Sequence, residues 1–297
     1  MILVDYSHRA INSILAFSSE LKNDPDGIEN LIRHVILSTL QSDKKQYGKK
    51  YGEMVICCDA RSYWRKDIFP PYKGSRKKSR EKSDLPWPKI FETVEKIKQD
   101  LIEIFPYKVV QVDKAEGDDV IAVLTKWSLT HNLKQIGLFE EPQPILIISA
   151  DHDFKQLHKY PNVKQWSPMT KAFVVAERNY ATTGHRKHLA KAGDDGIPSV
   201  LNHDSVLITE GERQKPMSAA RLAEFIDLGI DACRTEEERR NWLRNQTLVD
   251  FDFIPTELYD SIVEAYLNAT PSLNKNKIWN YLVKNKCRLL LDSVEEF

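Results

Sequence analysis

Acidic residues recur at the ends of apolar runs in this chain. Asp5 closes "MILVD", Asp59 follows "MVICC", and Glu116, Asp118 and Asp119 come after "YKVVQVD". Asp151 and Asp153 follow "PILIIS" in the stretch "ISADHDF". Short apolar runs of this kind predict buried strands, and in a parallel α/β sheet their carboxyl ends share the one edge where such folds hold ligands. Seven acids gathered there repel one another, since two unit charges about 4 Å apart cost on the order of 4 kcal/mol at an effective dielectric of about 20. Either several are protonated or cations neutralise them. Oxygen donors of this type suit magnesium or manganese better than zinc. A pair of such ions about 3.5–4 Å apart supports in-line displacement at phosphorus. Taken singly, Asp119 or Asp153 also reads as a helix cap or dipole partner, and "DHD" alone also occurs in phosphatases and sugar-nucleotide transferases. Four successive acidic strand ends are harder to read as caps.

A second constellation follows Asp59 directly. "YWRKDIFPPYKGSRKKSREK" mixes aromatics with Arg and Lys, and Arg61 adds a further positive charge just ahead of it. Alone, such a run reads equally as a solvated surface. Beside an acidic edge it supplies the cations that a phosphodiester backbone needs, with Tyr63, Trp64 and Tyr72 as stacking faces for unpaired bases.

The elements that must position these groups alternate. Strands are expected at 1–6, 54–60, 107–113 and 144–151. Helices are expected from Ser7 to Phe17, through "GIENLIRHVILSTLQ", over 88–105 and from "EGDD" onward. Pro70, Pro71, Gly74 and Pro86 exclude one continuous helix over 61–86. "VKQWSP" and "KAFVVAE" predict a hairpin. The pattern predicts an α/β core with a mainly parallel sheet over 1–183, and a helical C-terminal region over 184–297. "HRKHLAKAGDDGIPSVLNHDSVLI" reads as helix, tight turn, helix.

Composition narrows the class. No apolar stretch approaches the roughly 20 residues of a membrane span, and Met1 leads straight into a strand, so no signal peptide is expected. Cys57, Cys58, Cys233 and Cys287 lack metal-type spacing, which suits a reducing, cytoplasmic setting. The 43 Lys+Arg balance 43 Asp+Glu. A binder acting by net charge alone is therefore disfavoured, and the local basic segment carries the electrostatic argument.

In combination these motifs resemble the structure-specific 5′-nucleases, the flap endonuclease family, including the ribonucleases H of T-even bacteriophages. The resemblance runs from Asp5 to Phe297, through "SADHDFKQLHKYPNVKQWSPM", "ITEGER", "LVDFDFIP" and the final "EEF". It implies a PIN-like nuclease core in which Asp5, Asp59, Glu116, Asp118, Asp151 and Asp153 surround two magnesium ions, with manganese able to substitute. Asp119 is a ligand in some members. Residues 61–86 resemble the family's arch, with "WR…YKGSR" matching at Arg65, Tyr72, Lys73 and Arg76. Lys73 and Arg76 inherit contacts to the scissile phosphate, Asp151 is grouped with them as catalytic, and Lys77 adds charge. "GDDGIPSVLNHDSV" resembles a helix–three-turn–helix that grips duplex backbone, often with a monovalent cation. Its candidates are Gly196, Ile197 and Ser199, supported by Lys191, Arg213 and Lys215. The resemblance implies a monomeric phage enzyme in the host cell that removes RNA primers from lagging strands. Its substrates would be RNA–DNA and DNA duplexes and 5′ flaps, and its partners a single-strand-binding protein and a sliding clamp. The terminal "SVEEF" is either such a contact or a frayed end.

One departure stands out. Aligning on "DGIP" makes Asp195 the family's second Asp and puts Ala192 where the first belongs, with Asp194 nearby. A weaker second metal site is therefore expected. His152 is assigned no chemistry. The alternatives are a structure-selective DNA-binding protein with impaired cleavage and a PIN-like endoribonuclease.

Overall fold

The computed structural model describes residues 1–23, 27–74, 76, 80–137, 139–177 and 179–297. Its centre is a six-stranded sheet in the order β3-β2-β1-β6-β7-β8. The strands are β1 Ile2–Asp5, β2 Met54–Cys57, β3 Lys108–Val110, β6 Ile145–Ile148, β7 Val163–Ser167 and β8 Ala172–Val174. All pairs are parallel except β7 with β8, which form the hairpin expected from sequence. A second hairpin, β4 Leu133–Ile136 with β5 Phe139–Pro142, stands apart from the sheet.

Alternation along the central strands explains the two packed faces. Ile2, Val4, Ile56, Leu146 and Ile148 face one apolar cluster; Leu3, Val55, Cys57, Ile145 and Ile147 face the other. The first cluster is covered by α1 Tyr6–Leu15, α3 Ile28–Tyr51 and α5 Trp87–Ile104; α2 Ser18–Asn23 and α4 Trp64–Ile68 are short helices that precede α3 and α5. The second is covered by α6 Gly117–His131 and α10 Thr256–Asn268. The helix over "GIENLIRHVILSTLQ" continues through the basic residues that follow, because α3 runs on to Gly52, whose φ of 85° ends it. Chain order runs β1, β2, β3 to one side, then returns to place β6 on the other side of β1. That reversal makes the carboxyl ends of β1 and β6 the natural crevice of the sheet.

Beyond the sheet the chain is helical: α7 His185–Lys191, α8 Ala219–Leu228, α9 Glu236–Val249, α10, and α11 Lys275–Lys284. The second helix expected after "DGIP" does not form; residues 200–201 and 204–208 are turns. Asp195 (φ 53°) and Gly196 (φ 78°) reverse the chain, and side chains from α9 satisfy the carbonyls that a helix would have used. Asn241 donates to the carbonyls of Val200 and Asn202, and Asn245 to those of Leu189 and Pro198. The C-terminus is packed against the core and is not frayed. Phe297 packs edge-on against Phe105 at 5.1 Å, and Lys45 pairs with Glu296 at 2.5 Å.

Candidate active site

Asp5, Asp59, Asp118 and Asp151 line one cleft of 480 Å³ at the crevice between β1 and β6. Each is placed by a local device. Asp5 ends β1 and caps α1, its Oδ1 accepting the His8 amide at 3.1 Å and its Oδ2 the Ser149 hydroxyl at 2.9 Å. The Gly117 amide donates to Asp59 Oδ1 at 2.7 Å. A Cβ on Gly117 would sit 3.2 Å from the Cys57 carbonyl oxygen, so the "EGDD" glycine allows α6 to start close against the end of β2. Asp151 accepts the Asp153 amide at 2.9 Å.

The four carboxylates form an all-oxygen set under mutual repulsion. Burial, then Asp59, raise the Asp5 carboxyl from 3.8 to about 7, with Asp151 adding to the effect. Burial, then Asp151 and Asp5, hold the Asp118 carboxyl well above the usual carboxylate range. Hard divalent cations fit this donor set and would relieve the repulsion.

Opposite the acids stand cations and aromatic faces. Lys73, Arg76, Arg80, Tyr63, Trp87 and Phe91 line the same cleft. Trp87 and Phe91 stack at 5.6 Å, and Arg80 lies over Phe91 at 5.3 Å. His8 and Asn12, one turn apart on α1, complete the wall, with Asn12 Nδ2 2.9 Å from His8 Nε2. Sequence reasoning missed Trp87, Phe91, His8 and Asn12. The available signals were their i, i+4 spacing at the starts of helices that flank the basic segment and Asp5.

Several expected site residues lie elsewhere. Asp119 is fully buried, and its carboxylate accepts two bonds from Arg65 (2.8 and 2.9 Å), one from Trp64 Nε1 (3.0 Å) and one from the Glu116 amide (3.0 Å). This is a capping box with a buried ion pair, which leaves Asp119 no open face toward the cleft. Arg65, only 3% exposed, also donates to Glu116 and to the Leu248 carbonyl, so it is withdrawn from any nucleic-acid surface. Trp64 and Tyr72 are buried as well, and the Tyr72 hydroxyl donates to Glu116 Oε2 at 3.0 Å. Of the three expected stacking faces, only Tyr63 reaches the cleft. Glu116 is enclosed by Arg65, Tyr72 and Lys73.

The second expected metal position is divided. Asp195 pairs with Arg76 and lies 3.5 Å from Lys73 Nζ, whereas Asp153 pairs with His188 at 3.3 Å. Burial would lower the Lys73 ammonium, but Glu116, Asp195 and Asp118 together push it up. Lys73 itself sits at φ 56°, where its amide donates to the Asp195 carbonyl at 2.6 Å. Ala192 (φ 37°) and Gly193 (φ 105°) make the turn before Asp195. Gly196 packs so tightly that a Cβ would lie 3.1 Å from the Pro71 carbonyl oxygen. Ile197 is buried, and the Ser199 amide donates to Gln214 Oε1 at 2.8 Å, so it is not offered outward. Lys191, Arg213 and Lys215 are exposed. Lys77 and the side chain of Asp194 lie outside the described residues.

Residues 1–185 match the family described as the 5′-3′ exonuclease, N-terminal resolvase-like domain, and residues 187–297 the one described as T4 RNase H, C terminal. The chain is 37% identical to the ribonuclease H of Enterobacteria phage T4 over 308 aligned residues, spanning 99% of this chain and 95% of that protein. Among solved structures it resembles a phage T5 protein co-crystallised with metal ions (TM-score 0.61, 18% identity, 90% of this chain and 98% of that one). It also resembles a phage T5 flap endonuclease in a pseudo-enzyme-product complex with DNA and metal ions (TM-score 0.57, 18% identity, 90% and 98%). No helix among the described residues is long and apolar enough to cross a membrane. With its mostly parallel sheet, acidic crevice and helical C-terminal region, the chain belongs to the 5′→3′ exonuclease family and is a nuclease.

Proposed function

We propose that the protein is a magnesium-dependent 5′→3′ nuclease that hydrolyses RNA–DNA and DNA duplexes and 5′ flaps and removes RNA primers during lagging-strand synthesis. The observation that carries this reading is the shared cleft, with four carboxylates on one wall and Lys73, Arg76, Arg80 and a stacked aromatic pair on the other. Asp5, Asp59, Asp118 and Asp151 would hold the divalent ions, whose chemistry when bound is to activate water and stabilise charge on the leaving oxygen. Lys73 and Arg76 now face Glu116 and Asp195; a phosphodiester entering the cleft would compete for both cations and be oriented by them. Tyr63, Trp87 and Phe91 offer faces on which an unpaired 5′ base can stack. The exposed Lys191, Arg213 and Lys215 would add affinity for duplex backbone without selecting sequence. Action in the cytoplasm of a phage-infected cell, as a monomer working with a single-strand-binding protein and a sliding clamp, belongs to the same reading. A monovalent cation at the turn around Gly196 does too.

The test is a 5′-labelled RNA–DNA hybrid and a 5′-flap duplex, each incubated with magnesium and then with EDTA. Short labelled products that require magnesium are expected. Tight binding without cutting would replace the proposal with a structure-selective binding protein, and cleavage of free single-stranded RNA with an endoribonuclease.

A further inference from the structure

Between α6 and β6 the chain reads "KQIGLFEEPQP". Polar residues and glycine normally make a hairpin tip, yet here Gly137 is followed in sequence by leucine and phenylalanine, with glutamates next. β4 pairs with β5 so that Ile136 stands opposite Phe139, and Gly137, at φ 63°, turns the chain. Phe139 is 76% exposed, and Gln135, Glu140 and Glu141 are exposed beside it. A phenylalanine so placed adds almost nothing to the core. We propose that this hairpin is the docking element for a sliding clamp, its tip entering an apolar pocket with a basic rim on that ring. The choice of partner rests on the replication role proposed above.

Position carries the first part of the argument. α6 starts at the cleft with Asp118 and runs through 15 residues to His131, which takes the chain about 22 Å away. The hairpin ends at Pro142, just before Ile145 opens β6, whereas Asp151 lies beyond the other end of that strand. The tip is therefore at the amino-terminal edge of the sheet, opposite the carboxylates. Its base is fixed there: the Gln143 amide donates to the Asn132 carbonyl at 2.9 Å, and Asn162 Nδ2 donates to the Gln143 carbonyl at 2.9 Å. A single-strand-binding protein meets the enzyme on the strand that enters the cleft. A ring that encircles duplex must hold the enzyme by a face that the cleft does not use, and the hairpin is on such a face.

Chemistry carries the second part. Glu140 and Glu141 repel a phosphate backbone, so the hairpin is not a further contact for nucleic acid. Lys134, opposite Glu141, offsets one of the two charges and leaves the tip net acidic, which complements a basic rim. An aromatic side chain entering a pocket is the type of anchor that dominates a small protein interface. Gln135, whose Nε2 donates to the Gly137 carbonyl at 3.1 Å, adds a polar group beside it.

The experiment uses the full chain and the purified sliding clamp encoded in the same genome, with no DNA present. Calorimetry and gel filtration read the complex. Saturable binding that weakens with salt is expected for the native chain. Phe139→Ala should weaken it by about 30-fold, the scale of an aromatic hot spot. Glu140→Lys should weaken it less and remove part of the salt dependence. Both positions are exposed, and melting curves establish that the variants fold. Without the clamp, the native chain and Phe139→Ala should cut a 5′ flap equally. Failure to cut would count against the proposed function alone, since clamp binding is read without cutting. No binding with the clamp in large excess, binding unchanged in a folded Phe139→Ala chain, or Phe139-dependent binding to the single-strand-binding protein in place of the clamp overturns the proposal.

Discussion

Asp118 and Asp119 are neighbours in sequence and meet opposite surroundings. Successive residues of a helix point about 100° apart, so the first turn of α6 sends one carboxylate into the cleft and the other into the protein. Asp118 faces Asp151 and Asp5, and burial among them holds its carboxyl up. Asp119 meets Arg65, Trp64 and the Glu116 amide, and its acceptors are occupied. The same residue type at the same strand end thus serves two purposes. Where an acid's charge is balanced from within, it holds the segment carrying Trp64 and Arg65 to the core; where it is left unbalanced, the fold keeps a place for a cation.

The comparison can be broken from either side. The largest effect is expected on cleavage. Asp118→Asn should lower magnesium-dependent turnover by on the order of 10³-fold or more, roughly 4 kcal/mol of barrier, while duplex binding by gel shift stays near that of the native chain. A variant that cuts normally would remove Asp118 from the site. Arg65→Met should act through folding instead. It strands Asp119 and leaves Glu116 with fewer donors in the interior, and loss of one partner of a buried pair costs about 3 kcal/mol or more. Urea unfolding measures it. An unchanged midpoint would mean that Arg65 is not the balancing charge.

How far the sequence carried follows the same division. The strands of the central sheet, its mainly parallel character and the acids at the strand ends were legible, because apolar runs and the residues that stop them are local signals; the β4–β5 hairpin was not. Burial of Arg65 and Tyr72 was not. The run "YWRKDIFPPYKGSR" reads as basic surface until Glu116 and Asp119, 51 and 54 residues beyond Arg65, are brought to it by the fold. The missing helix after "DGIP" failed for a like reason, since Asn241 and Asn245 come from α9, some 40 residues or more along the chain. Long-range partners decide these cases, and spacing along one segment does not encode them.

The unbalanced side of the comparison also predicts a dependence of stability on pH. With Asp5 raised from 3.8 to about 7 by burial and by Asp59, the folded chain holds a proton that the unfolded chain has lost throughout that window. Stability then falls as pH rises from about 4 to about 7 and is level above it. His8 and His158, both lowered chiefly by burial, oppose the trend near neutrality, so the comparison is made against a variant. In EDTA at pH 8, Asp5→Asn should be more stable than the native chain by up to about 4 kcal/mol, since the rise spans about 3 pKa units and each is worth about 1.4 kcal/mol. The amide can still accept from the His8 backbone N–H and can meet the Ser149 hydroxyl. The gap should close as the pH is taken down to 4, where the native carboxyl is protonated. Magnesium at pH 8 should narrow or reverse it, because only the native site gains a ligand from the added ion. An Asp5→Asn chain that is less stable than the native one at pH 8 in EDTA would mean that the cleft acids are already balanced from within, and the distinction between the two sides of α6 would fall.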